Sequence, residues 1–219
     1  MAGLDAEELA ATGCTLAPAA CNALQIAELR ALCEAEVGAG QRLSLDAALT
    51  RRAVAMITEV VAGVARELRP VNALLFNKSA AHNWSVPWHQ DRTIAVDRRI
   101  EIPGYGPWST KSGVAHVEPP FTILAAMITV RLHLDDCPAD NAPLVVALGS
   151  HHARVTAHAA AAQARALPQR ICTAQAGDLW LYSTPILHRS DRASSPGVRR
   201  VVQIDYTAAS LPTILNWAG

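Results

Sequence analysis

The sequence predicts a mainly β domain, a sandwich or barrel with helices packed on one outer face, and three observations lead there. From Val71 onward the chain breaks into short runs rich in Val, Ile, Leu, Trp and Tyr, separated by Gly, Pro and Asp, the texture of many short strands. Before Val71, apolar residues recur instead at three- and four-residue steps, the period of a helix. With 219 residues, 51% of them hydrophobic, the chain can bury one sizeable core but not two comfortable ones. The expected organisation is one domain over 1–219, with helical support over about 1–70 and a β core over about 71–210.

Taken in order, Ala19 to Glu36 reads as a helix whose apolar stripe is Leu24, Leu29 and Leu32. Ser44 or Asp46 is the expected cap of a second helix, in which Leu49, Ala53, Met56, Ile57, Val60, Val61, Val64 and Leu68 recur until Pro70 closes it. Strands are expected at Val71–Asn77, Trp84–His89, Ile123–Leu134, Leu144–Ala147, Arg170–Thr173, Asp178–Tyr182 and Arg199–Tyr206. The segment Thr93–Pro120, rich in Gly and Pro, is too long for an ordinary connection, so it reads as a substrate lid, with Trp108, Lys111 and His116 its side chains of interest. Ala153–Leu167 reads as a short alanine-rich surface helix without chemistry.

Net charge is zero, so no strong field recruits nucleic acid or an anionic membrane, and neither is expected as a partner. No positively charged leader precedes an apolar stretch, and no run of eighteen apolar residues occurs, which leads us to expect a cytoplasmic protein. Five cysteines, odd in number and without C-x-x-C spacing, argue against a disulfide framework and against a zinc knuckle. Oligomeric state has no signature.

Chemistry enters at VPWHQDRT, where His89 and Asp91 stand two residues apart and so share a face if the backbone is extended. His188, in ILHRSD, is a third candidate ligand. Two imidazoles and one carboxylate that leave the opposite octahedral positions open suit a non-haem Fe(II) able to take a cosubstrate and dioxygen together. An H-x-D tripeptide alone is weak evidence. Here the turn Ala176-Gly177-Asp178 and the buried run Leu179–Tyr182 deliver the chain to His188, and Ser190 shares its face. Arg199 opens the run Arg199–Tyr206 and offers a planar fork to the far carboxylate of a dicarboxylic cosubstrate. Arg92, Arg98, Arg99 and Lys111 near the lid could favour a carboxylate or phosphate, although such a cluster on a loop is more often solvated surface, and His82, His116, His133, His151, His152 and His158 read as structural or solvent-facing.

These segments resemble the phytanoyl-CoA dioxygenase-like Fe(II)/2-oxoglutarate oxygenases. The resemblance runs from about Asn72 to Tyr206. It rests on HQD at His89–Asp91, NAPLVVALGSHH at Asn141–His152, AGDLWLYSTPILHRS at Ala176–Ser190, and Arg199. Ala142 departs from it, standing where the family usually has glycine. The family's halogenating relatives have Gly or Ala at the metal carboxylate, so Asp91 argues for hydroxylation or another oxidation. The resemblance implies a double-stranded β-helix (jelly roll) of the cupin-like kind. It also implies Fe(II), 2-oxoglutarate and dioxygen, and hydroxylation of a small organic molecule with release of succinate and carbon dioxide. His89, Asp91 and His188 would hold iron, and Arg199, helped by Ser190, the distal carboxylate of 2-oxoglutarate. Alternation puts Arg200 on the face of Val202, Ile204 and Tyr206, whereas family spacing favours Arg199, on the face of Val201, Gln203 and Asp205. Lys78 and Thr129 are further candidate cosubstrate contacts, or edge residues. Two alternatives stay open, a cupin-like metal enzyme that does not use 2-oxoglutarate and a non-catalytic small-molecule binding protein.

Overall fold

The structure is a computed structural model that describes residues 4–33, 40–64, 67–195 and 197–218. Its helices are α1 (Ala6–Thr12), α2 (Ala23–Cys33), α3 (Ala48–Ala62), α4 (Phe121–Ala125) and α5 (Ala160–Arg165). Its strands are β1 (Cys14–Ala17), β2 (Gly40–Leu43), β3 (Arg69–Lys78), β4 (Val86–His89), β5 (Ile94–Val96), β6 (Trp108–Lys111) and β7 (Val114–Val117), followed by β8 (Met127–His133), β9 (Leu144–Ala147), β10 (Gln169–Cys172), β11 (Leu179–Ser183), β12 (His188–Ser190) and β13 (Arg199–Thr207). A six-stranded antiparallel sheet in the order β1-β11-β8-β13-β3-β2 faces a four-stranded one, β10-β9-β12-β4, in a jelly roll, and β5-β7-β6 make a third, smaller sheet. Leu144 and Val146 of β9 meet Trp180 and Tyr182 of β11 between the two main sheets.

Side-chain alternation along β13 decides what the large sheet does. Val202, Ile204 and Tyr206 point outward and join Ala73, Leu75, Val130, Leu132, Leu179 and Leu181. Over them lie Ile26, Leu29 and Cys33 of α2 and Leu49, Ala53, Ile57 and Val61 of α3, so the helices cover the outer face. The turn before β11 is held by its own chemistry. Gly177 adopts φ +97° and passes so close to Cys21 that a Cβ would sit 2.3 Å from its carbonyl oxygen. Asp178 then accepts the N–H groups of Ala19 at 2.9 Å and Gln175 at 2.8 Å. Among the described residues, no helix is long and apolar enough to cross a membrane.

Several expectations are corrected. Neither Ser44 nor Asp46 caps α3: Ala47 holds the cap position without a side-chain bond, and the Ser44 hydroxyl accepts the Asp46 N–H instead. That helix stops at Ala62, short of Pro70, because Arg69 and Pro70 already belong to β3 and pair with Thr207 and Tyr206 across a bulge that tolerates the missing N–H. Ile123–Leu134 is not one strand. Pro119 and Pro120 interrupt the backbone, a helical turn follows as α4, and pairing begins at Met127. Of the helix expected over Ala19–Glu36, Ala23–Cys33 is α2, 19–22 are not helical and 34–36 lie outside the described residues; its buried side is Ile26, Leu29 and Cys33, and Leu24 is exposed. Thr93–Pro120 is no structureless lid: it contains the third sheet, whose Ile94, Val96 and Val117 are buried with Val71, Leu124, Met127 and Leu215. Ala153–Leu167 contains the short α5, whose Ala160 and Ala164 are buried against Val155 and Leu187.

Candidate active site

The antiparallel register pairs His188, first residue of β12, with His89, last residue of β4, and their ring centroids lie 4.2 Å apart. Asp91, two residues past His89, brings one carboxylate oxygen to 3.8 Å from His89 Nε2 and the other to 3.8 Å from His188 Nε2. One ligand atom from each of the three lies within 4.8 Å of the others, the only such cluster of three among the described residues. Each imidazole is turned by its own backbone. His89 Nδ1 meets the carbonyl of Pro87 at 2.8 Å, and His188 Nδ1 meets that of Ile186 at 3.0 Å. A carbonyl can only accept, so both Nδ1 atoms carry the proton and both Nε2 lone pairs face the cluster, the tautomer a metal ligand needs. Pro87 lies on the edge strand β4, where its missing N–H has no partner strand to fail. Burial pushes the His188 pKa down to about 4 against the upward pull of Asp91, so the ring is neutral. Two imidazole nitrogens and one carboxylate, with no fourth side chain in the cluster, fit a divalent transition metal with open positions.

The triad opens onto a cavity of about 300 Å³ whose floor is the inner face of the large sheet. Lys78 and Arg199 are cross-strand partners there, as are Arg131 and Gln203. Arg199 is only 2% exposed; its Nε has no partner, and its Nη1 lies 4.0 Å from Cys137 Sγ. Burial, then the nearby Arg131, lowers its pKa. Arg131 donates to Gln203 Oε1 at 2.8 Å, stacks 4.9 Å from the Phe76 ring and likewise leaves Nε without a partner. Lys78 Nζ donates to the carbonyl of Trp84 at 2.7 Å and to Ser190 Oγ at 3.0 Å, and burial reinforced by Arg199 and Arg131 lowers its pKa to about 8. Among the described residues no carboxylate comes within ion-pairing distance of these three cations, an arrangement that favours an incoming anion. Arg200 points the other way and gives its backbone N–H, Nε and Nη2 to the carboxylate of Asp135.

The remaining candidates divide. Lys111 and His116 line the cavity, whereas Trp108 packs into the apolar cluster of the third sheet. Thr129 is fully buried and engages its hydroxyl with Thr184 at 3.0 Å and Asp205 at 2.9 Å. Of the lid-segment bases, Arg92 pairs with Glu118, Arg98 with Asp97 and Arg99 with Glu101. Residues not anticipated are Arg42, Asn72, Arg131, Gln203 and Asp205, all on the cavity wall. Asp205 accepts bonds from Asn72, Thr129 and Gln203, yet burial still pushes its pKa up to about 6. A charged residue in the middle of the otherwise apolar run around Arg131 was the signal available for that residue. Ala142 adopts φ +53°, the left-handed region that favours the glycine it replaces.

A family model described as phytanoyl-CoA dioxygenase (PhyH) matches residues 9–201. No curated protein matches the chain. Among solved structures, it is similar to the non-heme alpha ketoglutarate dependent epimerase SnoN from nogalamycin biosynthesis, at 15% identity over 92% of this chain and 81% of that one, with a TM-score of 0.68. It is similar to HygX from Streptomyces hygroscopicus with iron bound, at 15% identity over 92% and 84% of the two chains, with a TM-score of 0.65. It also resembles AviO1 from Streptomyces viridochromogenes Tue57, at 19% identity over 97% and 99%, with a TM-score of 0.64. At these identities the likeness is one of fold.

Proposed function

The chain belongs to the phytanoyl-CoA dioxygenase family, and from that premise we propose that it acts, as one catalytic domain, as an Fe(II)- and 2-oxoglutarate-dependent oxygenase that hydroxylates a small organic molecule. The observation that carries this reading is a triad of ligand atoms within 4.8 Å sharing a cavity with a buried arginine that has no carboxylate partner among the described residues. Structural neighbours lend support: SnoN has been solved with Fe3+, alpha ketoglutarate and nogalamycin RO, and HygX with nickel, 2-oxoglutarate and hygromycin B.

His89, Asp91 and His188 would hold the iron, and with 2-oxoglutarate and dioxygen the bound metal supplies the oxidising power while succinate and carbon dioxide are released. The chain's own residues orient and insulate. The Pro87 and Ile186 carbonyls keep the two Nε2 lone pairs on the metal side. Arg199 receives the distal carboxylate of 2-oxoglutarate, with the Ser190 hydroxyl beside it steadied by Lys78. Thr129 acts one step back by fixing Asp205 in the floor. Leu74, Phe76, Ile94 and Met127 line the same cavity and limit water around the reacting groups.

The test is anaerobic reconstitution with Fe(II), then addition of air and 2-oxoglutarate. Stoichiometric iron in the wild type, lost in His188→Ala, with iron-dependent succinate release, is the expected result. Iron binding with no conversion of 2-oxoglutarate would transfer the site to a cosubstrate-independent enzyme, and absence of iron binding would leave a small-molecule binding protein.

A further inference from the structure

The cavity has a second cationic end. Arg42 of β2 pairs with Leu74, Leu74 with Gln203 and Gln203 with Arg131, so these four residues form one row across the large sheet. With strands about 4.8 Å apart, the backbone of Arg42 lies roughly 14 Å from that of Arg131, and about 16 Å from Arg199 on the diagonal. The metal triad lines the same cavity as both of these ends. A second cavity adjoins at Arg42, Val71 and Asn72, so Arg42 stands at the junction of the two.

Arg42 is held by neutral groups. One of its nitrogens bonds Asn72 Oδ1 and another lies 2.7 Å from His116 Nε2. His116 Nδ1 meets the carbonyl of Val114 at 3.0 Å, so the ring keeps its proton there and accepts from the guanidinium. Lys111, also on the cavity wall, bonds only the Thr93 hydroxyl in the described structure, at 3.2 Å. Arg92, Arg98 and Arg99 each have an acid beside them, whereas Arg42 and Lys111 have none within ion-pairing distance among the described residues. Asp205 acts on Arg42 through Asn72 and through its field, but it makes no ion pair with it, and its oxygens already accept from Asn72, Thr129 and Gln203. The cavity is also lined by the apolar side chains of Val71, Leu74, Ile94, Met127 and Trp217, beside the polar Asn72, Gln203 and Asp205.

We infer that the substrate is a small organic acid with an apolar body, whose carboxylate docks on Arg42 and Lys111 at the end of the cavity remote from Arg199, with its carbon chain crossing beneath the metal triad. The inference rests on the function proposed above, because that reading gives the Arg199 end to the cosubstrate. His116 is then a positioning residue that aims Arg42.

The test uses straight-chain monocarboxylates from butanoate to decanoate, phenylacetate and 3-phenylpropanoate, each beside its methyl ester. They are titrated by calorimetry with 2-oxoglutarate saturating, into the Fe(II)-loaded protein under nitrogen and into the metal-free protein. At least one acid is expected to bind about ten-fold or more tightly than its ester in both forms. Arg42→Gln should erase that preference, Arg42→Lys should keep most of it, and Lys111→Gln should reduce it about three-fold, all with 2-oxoglutarate affinity within about two-fold of wild type. The proposal is overturned if no acid binds better than its ester, if Arg42→Gln keeps the preference, or if Arg42→Gln weakens 2-oxoglutarate as Arg199→Ala does. An acid preference in the metal-free protein without succinate release from the iron-loaded one would sink the oxygenase reading and leave an acid-binding site standing.

Discussion

The two faces of the large sheet are built from alternate residues of the same strands, and they obey opposite rules. On the outer face, Leu75, Leu132, Val202 and Ile204 find apolar partners on α2 and α3. On the inner face, Lys78, Arg131 and Arg199 are buried beside one another, and their partners among the described residues are carbonyls, hydroxyls, an amide, a thiol and two aromatic rings. Burying like charges without counterions disfavours folding. The outer face therefore supplies stability that the inner face consumes, and the inner face is arranged for anions that arrive from solution.

Breaking one face should leave the other intact. Asp91→Ala has the largest expected effect: iron binding is lost and turnover falls about 1,000-fold or more, roughly 4 kcal/mol in the barrier, while the urea midpoint of the metal-free protein is kept. Normal iron-dependent turnover in that variant would remove Asp91 from the site. Ile204→Ala, on the outer face, should cost about 3 kcal/mol in urea unfolding through the cavity it leaves. Its 2-oxoglutarate affinity should not change, and if affinity fell with stability the two faces would not be separable. Arg199→Ala should raise the 2-oxoglutarate concentration for half-saturation about 100-fold. Because its charged neighbours are themselves cations, the melting temperature of the metal-free protein should not fall. Arg200→Ala is the control across the sheet, where Asp135 is the partner: a loss of about 1 kcal/mol in stability and no change in cosubstrate affinity. An affinity effect at Arg200 instead would exchange the roles of the two arginines.

A pH slope of the metal-free protein is the remaining expected effect. In the metal-free protein, burial lowers His188 to about 4 and His133 to about 3, against about 6.5 unfolded. Between those values the unfolded chain binds more protons, so their contribution is fully present above pH 6.5 and declines as pH falls. Asp205, raised to about 6, acts the other way, because the folded state takes its proton first. These two histidines against this carboxyl leave a net loss of roughly 2 kcal/mol between pH 7 and 5, to which His116 and His151, also lowered by burial, add in the same direction, measurable by urea unfolding. His133→Asn should flatten the slope, and an unchanged slope would discard His133 as its source.

Legibility followed the same division. Continuous apolar or alternating runs were readable: the expected Leu144–Ala147 is β9, Asp178–Tyr182 overlaps β11, and Arg199–Tyr206 lies within β13. The third sheet was not, because strands of three or four residues between Gly and Pro carry no usable period, and the apolar Ile123 stretch does not distinguish a helical turn from a strand. The first helix was overlooked although Asp5 caps it, accepting the Glu8 N–H at 2.8 Å, a D-x-x-E start visible in the sequence. At the site, the H-x-D spacing together with the family-like segment leading to His188 pointed to His89, Asp91 and His188, which the β12–β4 register brings together. Arg131 had only its charge within an apolar run to mark it, and Arg42 joins the cavity only through the pairing of β2, β3, β13 and β8, a long-range fact no local pattern states.

The most direct test of the central claim is an anaerobic titration of the Fe(II)-loaded protein with 2-oxoglutarate, followed through the weak visible charge-transfer band of the metal chelate. A band that saturates in the wild type, needs about 100-fold more 2-oxoglutarate in Arg199→Ala and is unmoved in Arg200→Ala is the predicted result. Bound iron with no band at any concentration would contradict it.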